Sequence, residues 1–208
     1  MYKIGLMTAA LLGIPTLALA QADVATDITN AQVQKSLKEQ PEGDRTLRVL
    51  DLGAYQLSVA VVKRGPTGAA APRRNGPAPD QAQAQPCGLD VAPAGAKMGP
   101  PGMIAHDDTD ETYIVTSGSG TLVTGGQILK GRRSAPDSVV TKILNGPSCS
   151  GQAVGNFVSR KMNVGDISVI PKGVPHGWTD ITDHVTYLSV RPDPKKVLEH
   201  GYVNPALK

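Results

Sequence analysis

Residues 165–176 read Gly-Asp-Ile-Ser-Val-Ile-Pro-Lys-Gly-Val-Pro-His and carry the strongest fold signal in the chain. The apolar first half predicts a short strand, because β-branched side chains favour extended backbone. Pro171 and Gly173 then predict a tight turn. His176 follows the turn, where the chain re-enters a strand. Such a turn presents an imidazole at the beginning of a strand, which is one way to build a metal or ligand pocket in a β-barrel.

A second stretch, residues 104–118, carries residue types with related chemistry. It reads Ile-Ala-His-Asp-Asp-Thr-Asp-Glu-Thr-Tyr-Ile-Val-Thr-Ser-Gly. His106 and Glu111 flank an aspartate-rich turn, and imidazoles and carboxylates are ligands for divalent transition metals. The turn lacks the glycine and the terminal glutamate of an EF-hand calcium loop. A solvated acidic turn is therefore predicted between His106 and Glu111.

The two stretches resemble the two signature motifs of the cupin superfamily. Residues 165–176 match the second motif, Gly-x5-Pro-x-Gly-x2-His, at every marked position. The first motif, His-x-His-x4-Glu-x6-Gly, matches at its second His, its Glu and its Gly. Ile104 replaces its first His, and Asp180 stands where the family usually has asparagine. The resemblance runs from about residue 102 to residue 192, which is less than half of the chain.

This resemblance implies an all-β fold, a cupin-type jelly-roll β-barrel with short N-terminal and C-terminal helices. Short apolar runs between Gly, Pro and Asp turns are typical of such barrels. The expected strands lie near residues 47–52, 55–63, 103–106, 112–116, 120–124, 139–144, 154–160, 166–170, 176–181 and 184–191. Gly125-Gly126 predicts a hairpin turn.

The domain organisation is expected to be simple. Residues 21–208 form one cupin domain with its core at about 102–192. Residues 65–101 are rich in Gly, Pro, Ala and Gln and predict a long irregular loop that covers the barrel rather than a second domain. Ile28–Gln40 predicts an amphipathic helix on the outside of the barrel or on a neighbouring subunit, and Asp193 predicts the start of a closing helix.

The resemblance also implies site residues. His106, Glu111 and His176 would be the ligands of one divalent transition metal ion, which could be Fe, Mn, Zn, Ni or Co. Ile104 would place an apolar wall where the full motif has a fourth ligand. This leaves either a vacant coordination position or a site too weak to be filled. Tyr113 and Trp178 are expected to form the substrate-binding wall together with Ile104.

The expected function is that of an exported monocupin that acts on or binds a small organic molecule in the barrel. Oxygenase, lyase, decarboxylase and isomerase chemistry all occur on such barrels, and nothing in the sequence selects one of them. Two alternatives stay open, which are a non-catalytic, metal-free cupin that binds a small ligand and a structural dimer. A homodimer is expected in either case.

The N-terminal residues 1–20 predict a secretory signal peptide. Lys3 precedes a short apolar run, and Ala18-Leu19-Ala20 offers a cleavage site after Ala20. The protein is therefore expected to be secreted or periplasmic, with no membrane span. Its net charge of +3, which falls to +2 without Lys3, is too small to indicate a nucleic-acid partner.

The chain has two cysteines, Cys87 and Cys149. In an oxidising compartment they predict one disulfide. They lack the Cys-x-x-Cys spacing of a cysteine-ligated metal site.

Overall fold

A computed structural model describes residues 24–68 and 85–208. The predicted signal peptide, its cleavage site after Ala20, and residues 69–84 of the predicted loop lie outside the described residues. Within the described part, no helix is both long and apolar enough to cross a bilayer. The described chain is built mainly from antiparallel strands, as the sequence predicts.

The strands, numbered in chain order, have the following bounds: β1 Gly43–Asp51, β2 Gln56–Arg64, β3 Pro86–Cys87, β4 Met103–His106, β5 Glu111–Gly118, β6 Gly120–Arg133, β7 Ser148–Met162, β8 Ile167–Ile170, β9 His176–Thr179 and β10 Val185–Asp193.

Two five-stranded sheets face each other. One has the order β1-β2-β10-β5-β8, and the other has the order β3-β6-β7-β4-β9 with a further pairing between β6 and β9. From β4 to β10 the chain changes sheet at every step except between β6 and β7, which pair with each other. This alternation is the arrangement of a jelly roll. The prediction of an all-β jelly-roll barrel is confirmed.

The core lies between the sheets and is formed by alternate residues of each strand, because side chains two apart on a strand point to the same face. Its larger cluster contains Val62, Tyr113, Val115, Leu122, Met162, Ile170, Ile181, Val185 and Tyr187. Burial of this apolar surface stabilises the barrel by about 25 cal/mol per Å². The same inward faces carry the polar side chains of the candidate site.

Helix α1 spans Asn30–Glu39, close to the predicted range. It begins at the predicted capping box, in which Thr29 and Gln32 bond each other's backbone N–H groups. Val33 and Leu37 line a groove between the helix and the outer face of the first sheet. The helix therefore packs on the outside of its own barrel.

The chain closes with a short 3-10 helix at Pro205–Leu207. A C-terminal helix is thus present, but it does not begin at Asp193 as expected. Asp193 is the last residue of β10, and its carboxylate accepts hydrogen bonds from the backbone N–H groups of Val197 and Leu198. Lys196, which lies between Asp193 and Val197, has a φ of 53°. This left-handed conformation interrupts any helix that would start at Asp193.

Two local predictions in the second sheet are wrong. Residues 140–144 form a π-helical turn instead of a strand. Ser138 accepts a hydrogen bond from the backbone N–H of Thr141, and Val139 is exposed, so no burial supports a β conformation there. Gly125 and Gly126 do not form a hairpin turn. They lie inside β6, where their φ angles of 94° and 75° shift the register against β7.

The predicted disulfide is present. Cys87 and Cys149 are bonded, with Cα atoms 6.0 Å apart. The bond joins β3 to the beginning of β7 and so fastens the described end of the long loop to the second sheet. Cys149 also pairs with Ala105 of β4, next to His106.

Candidate metal centre

Three strands bring the predicted ligands together. His106 is the last residue of β4, and Glu111 is the first residue of β5 in the opposite sheet. His176 begins β9 directly after the turn at Pro171–Gly173, and it pairs with Ile104 of β4. Gly173 N–H donates to the His106 carbonyl at 2.7 Å, which docks this turn against the end of β4.

The three side chains form a buried cluster. Their exposed fractions are 3% for His106, 1% for Glu111 and 1% for His176. Glu111 Oε2 lies 3.1 Å from His106 Nε2 and 3.0 Å from His176 Nε2. All three potential donor atoms lie within 4.8 Å of one another, so this group can bind a metal.

The outer nitrogens of both imidazoles are held by oxygen atoms. His176 Nδ1 donates to the Val174 carbonyl at 2.9 Å. His106 Nδ1 lies 2.9 Å from Ser148 Oγ, and that hydroxyl donates its own proton to the Gly146 carbonyl at 2.9 Å. Both Nδ1 atoms must therefore carry the proton. This pattern fixes ring orientation in the manner of metal-binding histidines.

Because both protons are on Nδ1, the Nε2 lone pairs of His106 and His176 point toward Glu111. In the neutral rings the two Nε2 atoms are acceptors, and they face Glu111 Oε2, which is also an acceptor. Within the described residues, His176 Nε2 has no hydrogen-bond partner of acceptable geometry. Buried acceptors that face each other are unfavourable unless a proton or a metal ion lies between them. Two imidazoles and one carboxylate fit a divalent transition metal.

The second oxygen of Glu111 has its own partners. Oε1 accepts hydrogen bonds from Ser189 Oγ at 2.5 Å and from Arg191 Nε at 2.7 Å. Burial alone would raise the pKa of Glu111. The positive charge of Arg191 outweighs burial and holds that pKa well below its usual value. Glu111 is therefore an ionised carboxylate in a buried site.

Arg191 is buried and makes contacts beyond Glu111. Its guanidinium donates to the Leu144 carbonyl at 3.0 Å and to Asp44 Oδ2 at 2.9 Å. Burial would lower the pKa of Arg191, but the charges of Asp44 and Glu111 raise it above its usual value.

The pKa of His106 is lowered, because burial of its imidazole has a larger effect than the Glu111 carboxylate, which raises it. A neutral His106 is the form that binds metals.

The acidic turn between the first two ligands is a structural element. Asp107 pairs with Arg133, and Asp108 pairs with Lys195 at 2.6 Å. Asp110 accepts a hydrogen bond from the Lys172 backbone N–H at 2.9 Å, which ties the acidic turn to the turn before His176. The aspartates thus hold the two ligand-bearing turns in place.

The remaining two histidines lie apart from the cluster. His184 Nε2 is 2.6 Å from Ser117 Oγ, and its Nδ1 is 2.5 Å from Asp183 Oδ2. His184 lines the groove below α1, outside the barrel. His200 Nδ1 lies 3.2 Å from Gln56 Oε1, at the end of the first sheet.

A cavity of about 420 Å³ reaches the cluster. His176 lines it together with all three residues that the sequence predicts for the substrate wall, Ile104, Tyr113 and Trp178. Tyr187 completes an aromatic group in which the ring centroid of Tyr113 lies 4.2 Å from that of Tyr187 and 6.1 Å from that of Trp178. Residues 65–67 and 101–102, at the two ends of the long loop, also line this cavity.

Each motif thus connects one sheet to the other. The first motif spans the connection from β4 to β5, the second spans β8, its turn and the start of β9, and their side chains meet inside a jelly roll. The chain has the cupin fold. Ile104, at the position of the missing histidine, faces the cavity of this barrel.

Solved structures similar to this chain share little sequence with it. BH2720 from Bacillus halodurans has a TM-score of 0.40 and 13% identity over 88% of this chain and 92% of its own. A cupin-2 domain containing protein from Shewanella frigidimarina has a TM-score of 0.33 and 15% identity over 77% and 91%. An oxalate oxidase structure has a TM-score of 0.35 and 16% identity over 76% of this chain and 54% of its own. No family model and no curated protein matches the sequence.

Sequence reasoning missed four residues around the site. Arg191 and Ser189 contact Glu111, Ser148 contacts His106, and Arg64 lines the cavity. Ser189 and Arg191 carried a signal, since they are polar residues two apart in a strand whose preceding residues on the same face, Val185 and Tyr187, belong to the core. Ser148 and Arg64 carried none, because their places depend on strand pairings that are not encoded locally.

Proposed function

We propose that this chain is a metal-dependent cupin that binds one divalent transition metal ion and acts on a small organic molecule in the barrel. The observation that carries the proposal is the convergence of three buried acceptor atoms, contributed by His106, Glu111 and His176, with both imidazole Nδ1 atoms already bonded to oxygen. The ion would be Fe, Mn, Zn, Ni or Co, which all accept this donor set.

The roles of the residues follow from their contacts. His106, Glu111 and His176 would hold the ion. When bound, such an ion supplies Lewis acidity toward a substrate oxygen. Arg191 occupies Glu111 Oε1, which leaves Oε2 directed at the imidazoles. Ile104 keeps the cavity side of the site apolar, so a substrate has access there that a fourth protein ligand would block.

Ile104, Tyr113 and Trp178 would bind the substrate. They line a cavity whose volume of about 420 Å³ suits a small ligand. The donor set serves oxygenase, lyase, decarboxylase and isomerase chemistry alike. A second candidate function is metal-free binding of a small ligand, which the aromatic wall of the same cavity favours.

We extend the proposal to location and assembly. Export to the periplasm or the medium, after cleavage behind Ala20, agrees with the disulfide between Cys87 and Cys149, which persists in oxidising compartments. A homodimer would form with the outer face of the first sheet, where α1 leaves a groove of about 600 Å³. Mass spectrometry of the exported protein and its sedimentation behaviour test these two points.

The decisive experiment for the metal is elemental analysis of untagged protein. We expect close to one ion per chain in the wild type and less than a tenth of that in His106→Ala and His176→Ala. His184→Ala is the matched control, because His184 lies outside the barrel. A wild type that takes up no metal, even after incubation with each of the five ions, would refute metal dependence and favour the metal-free candidate.

A further inference from the structure

Arg64 gives the cavity a charge. It is the last residue of β2 and points to the same side as Val62, into the barrel. Among the described residues that line the cavity, Arg64 is the one with a permanent charge, and no carboxylate lines it. The guanidinium is hydrogen-bonded to Tyr187, whose ring belongs to the aromatic wall. Since Arg64 is exposed, it lies where the cavity opens to solvent.

The charges behind the cavity wall have a positive excess even without an ion, because the buried Arg45 also lies near Asp44 and Arg64. Asp44 and Glu111 offset Arg191 and Arg64, because Arg191 contacts both carboxylates and Asp44 also attracts Arg64. A divalent ion at the cluster would add two positive charges to this region. Net charge in a poorly solvated site is costly unless it is compensated. A ligand with negative charge supplies that compensation.

The cavity wall that contains Tyr187 is aromatic. The rings of Tyr113 and Trp178 are nearly parallel, with an angle of 21° between their planes. Trp178 and Tyr187 have ring centroids 5.3 Å apart. A flat ligand ring packs well on such surfaces, whereas a sugar offers no face of equal polarisability. Ile104 and Ile181 make the rest of this wall apolar.

We infer that the ligand of this barrel is a small aromatic carboxylate, with its carboxylate on Arg64 and its ring against Tyr113 and Trp178. The inference rests on the proposed function, in that it takes the barrel cavity as the site of a small organic molecule. Arg64 suits this role because a guanidinium binds a carboxylate through two parallel hydrogen bonds.

The chain contains its own reporter for a test. Trp178 is the single tryptophan, and it lines the cavity. Its fluorescence therefore responds to ligands bound there. Benzoate is the probe, and benzamide is its neutral control of nearly the same shape. We expect benzoate to change the fluorescence of Trp178 and to bind about 10- to 100-fold more tightly than benzamide, which is the usual gain from a charge-assisted pair of hydrogen bonds.

Variants assign that preference to one residue. In Arg64→Gln we expect benzoate affinity to fall about 10- to 100-fold with little change for benzamide, so that the preference disappears. Arg64→Lys keeps the charge without the planar fork and should retain part of the preference. Arg160→Gln makes the same change on the exposed face of β7, away from the cavity, and should retain all of it. Titration calorimetry on the same proteins detects binding that leaves the fluorescence unchanged.

The outcomes separate this inference from the metal proposal. A wild type that binds metal but shows no benzoate binding, or equal affinity for benzoate and benzamide, overturns the inference and leaves the metal proposal intact. A preference that survives in Arg64→Gln overturns it as well. Arg64-dependent binding of benzoate by a protein that takes up no metal supports the inference and refutes the metal proposal.

Discussion

Arg191 Nε lies 2.7 Å from Glu111 Oε1, and both side chains are 1% exposed. The pair is held on its other side by Asp44, which contacts the same guanidinium at 2.9 Å. Without Arg191, an ionised carboxylate in this position would face only the two imidazoles and the Ser189 hydroxyl. The ion pair with Arg191 therefore keeps Glu111 ionised inside the barrel.

Replacing Arg191 by Met should destabilise the fold by about 3–5 kcal/mol, because it leaves the carboxylates of Glu111 and Asp44 buried without their partner. Urea unfolding of the metal-free protein measures the loss. Arg160→Met, at an exposed position of β7, is the control and should change stability by less than about 0.5 kcal/mol. A loss of under 1 kcal/mol in Arg191→Met would show that the pair is not essential to the charge balance.

Ser148→Ala should weaken metal binding about 10- to 100-fold, because it removes the oxygen that orients His106 through Nδ1. Competition with a chromophoric chelator gives the affinity. Ser159→Ala, an exposed serine of the same strand, should bind as the wild type does. Equal affinities in both variants would contradict the orienting role of Ser148.

Ile104→His should strengthen metal binding by about tenfold or more, since it restores the missing ligand of the first motif beside His176. The cavity should become smaller at the same time. Ile104→Val preserves the apolar wall and serves as the control. Unchanged affinity in Ile104→His would mean that the position does not reach the ion.

Removing the disulfide by Cys87→Ser with Cys149→Ser should lower the free energy of unfolding by about 4 kcal/mol, because the bond closes a loop with a sequence separation of 62 residues. Guanidinium unfolding of this variant should agree with that of reduced wild-type protein. If reduction costs the wild type much less than the double substitution does, the serines themselves perturb the sheet and the loop argument fails.

Gly118→Ala should destabilise the protein by about 3 kcal/mol or more. Its φ is 69°, and an added Cβ would lie 2.0 Å from the His184 carbonyl oxygen. Gly53→Ala is the matched comparison, since Gly53 has φ of 81° but no atom within 4 Å of the added Cβ, so only about 1 kcal/mol is expected. Thermal unfolding ranks the two, and equal losses would remove the steric argument for Gly118.

Much of this fold was accessible from sequence because its signals are local. The resemblance of the two motifs to the cupin signatures implies His106, Glu111 and His176 as ligands, and the cysteine pair predicts the disulfide. The hairpin turn predicted at Gly125-Gly126 is wrong, because two glycines with positive φ can form a bulge inside a strand as well as a turn between strands. Local patterns do not distinguish the two, because the difference lies in the partner strand.

The residues that sequence reasoning missed are those fixed by pairing between distant strands. Arg191 reaches Glu111 because β10 lies beside β5, and Arg64 reaches the cavity because β2 lies beside β10. The strand predicted at 139–144 is wrong for another reason. Its β-branched residues favour a strand, but Val139 is exposed and Ser138 supplies a local cap, so side-chain hydrogen bonding outweighs propensity.

The distribution of the ligands over the strands also bears on how the chain folds. His106 and Glu111 are five residues apart and can meet once their turn forms. His176 joins them only when β9 has paired with β4 and β6, which are long-range contacts and hence slow to form. A half-folded chain would offer two donors to an ion and a finished one three. The rate of ion uptake during refolding would therefore report the addition of β9 to the second sheet, which is the step that completes the site.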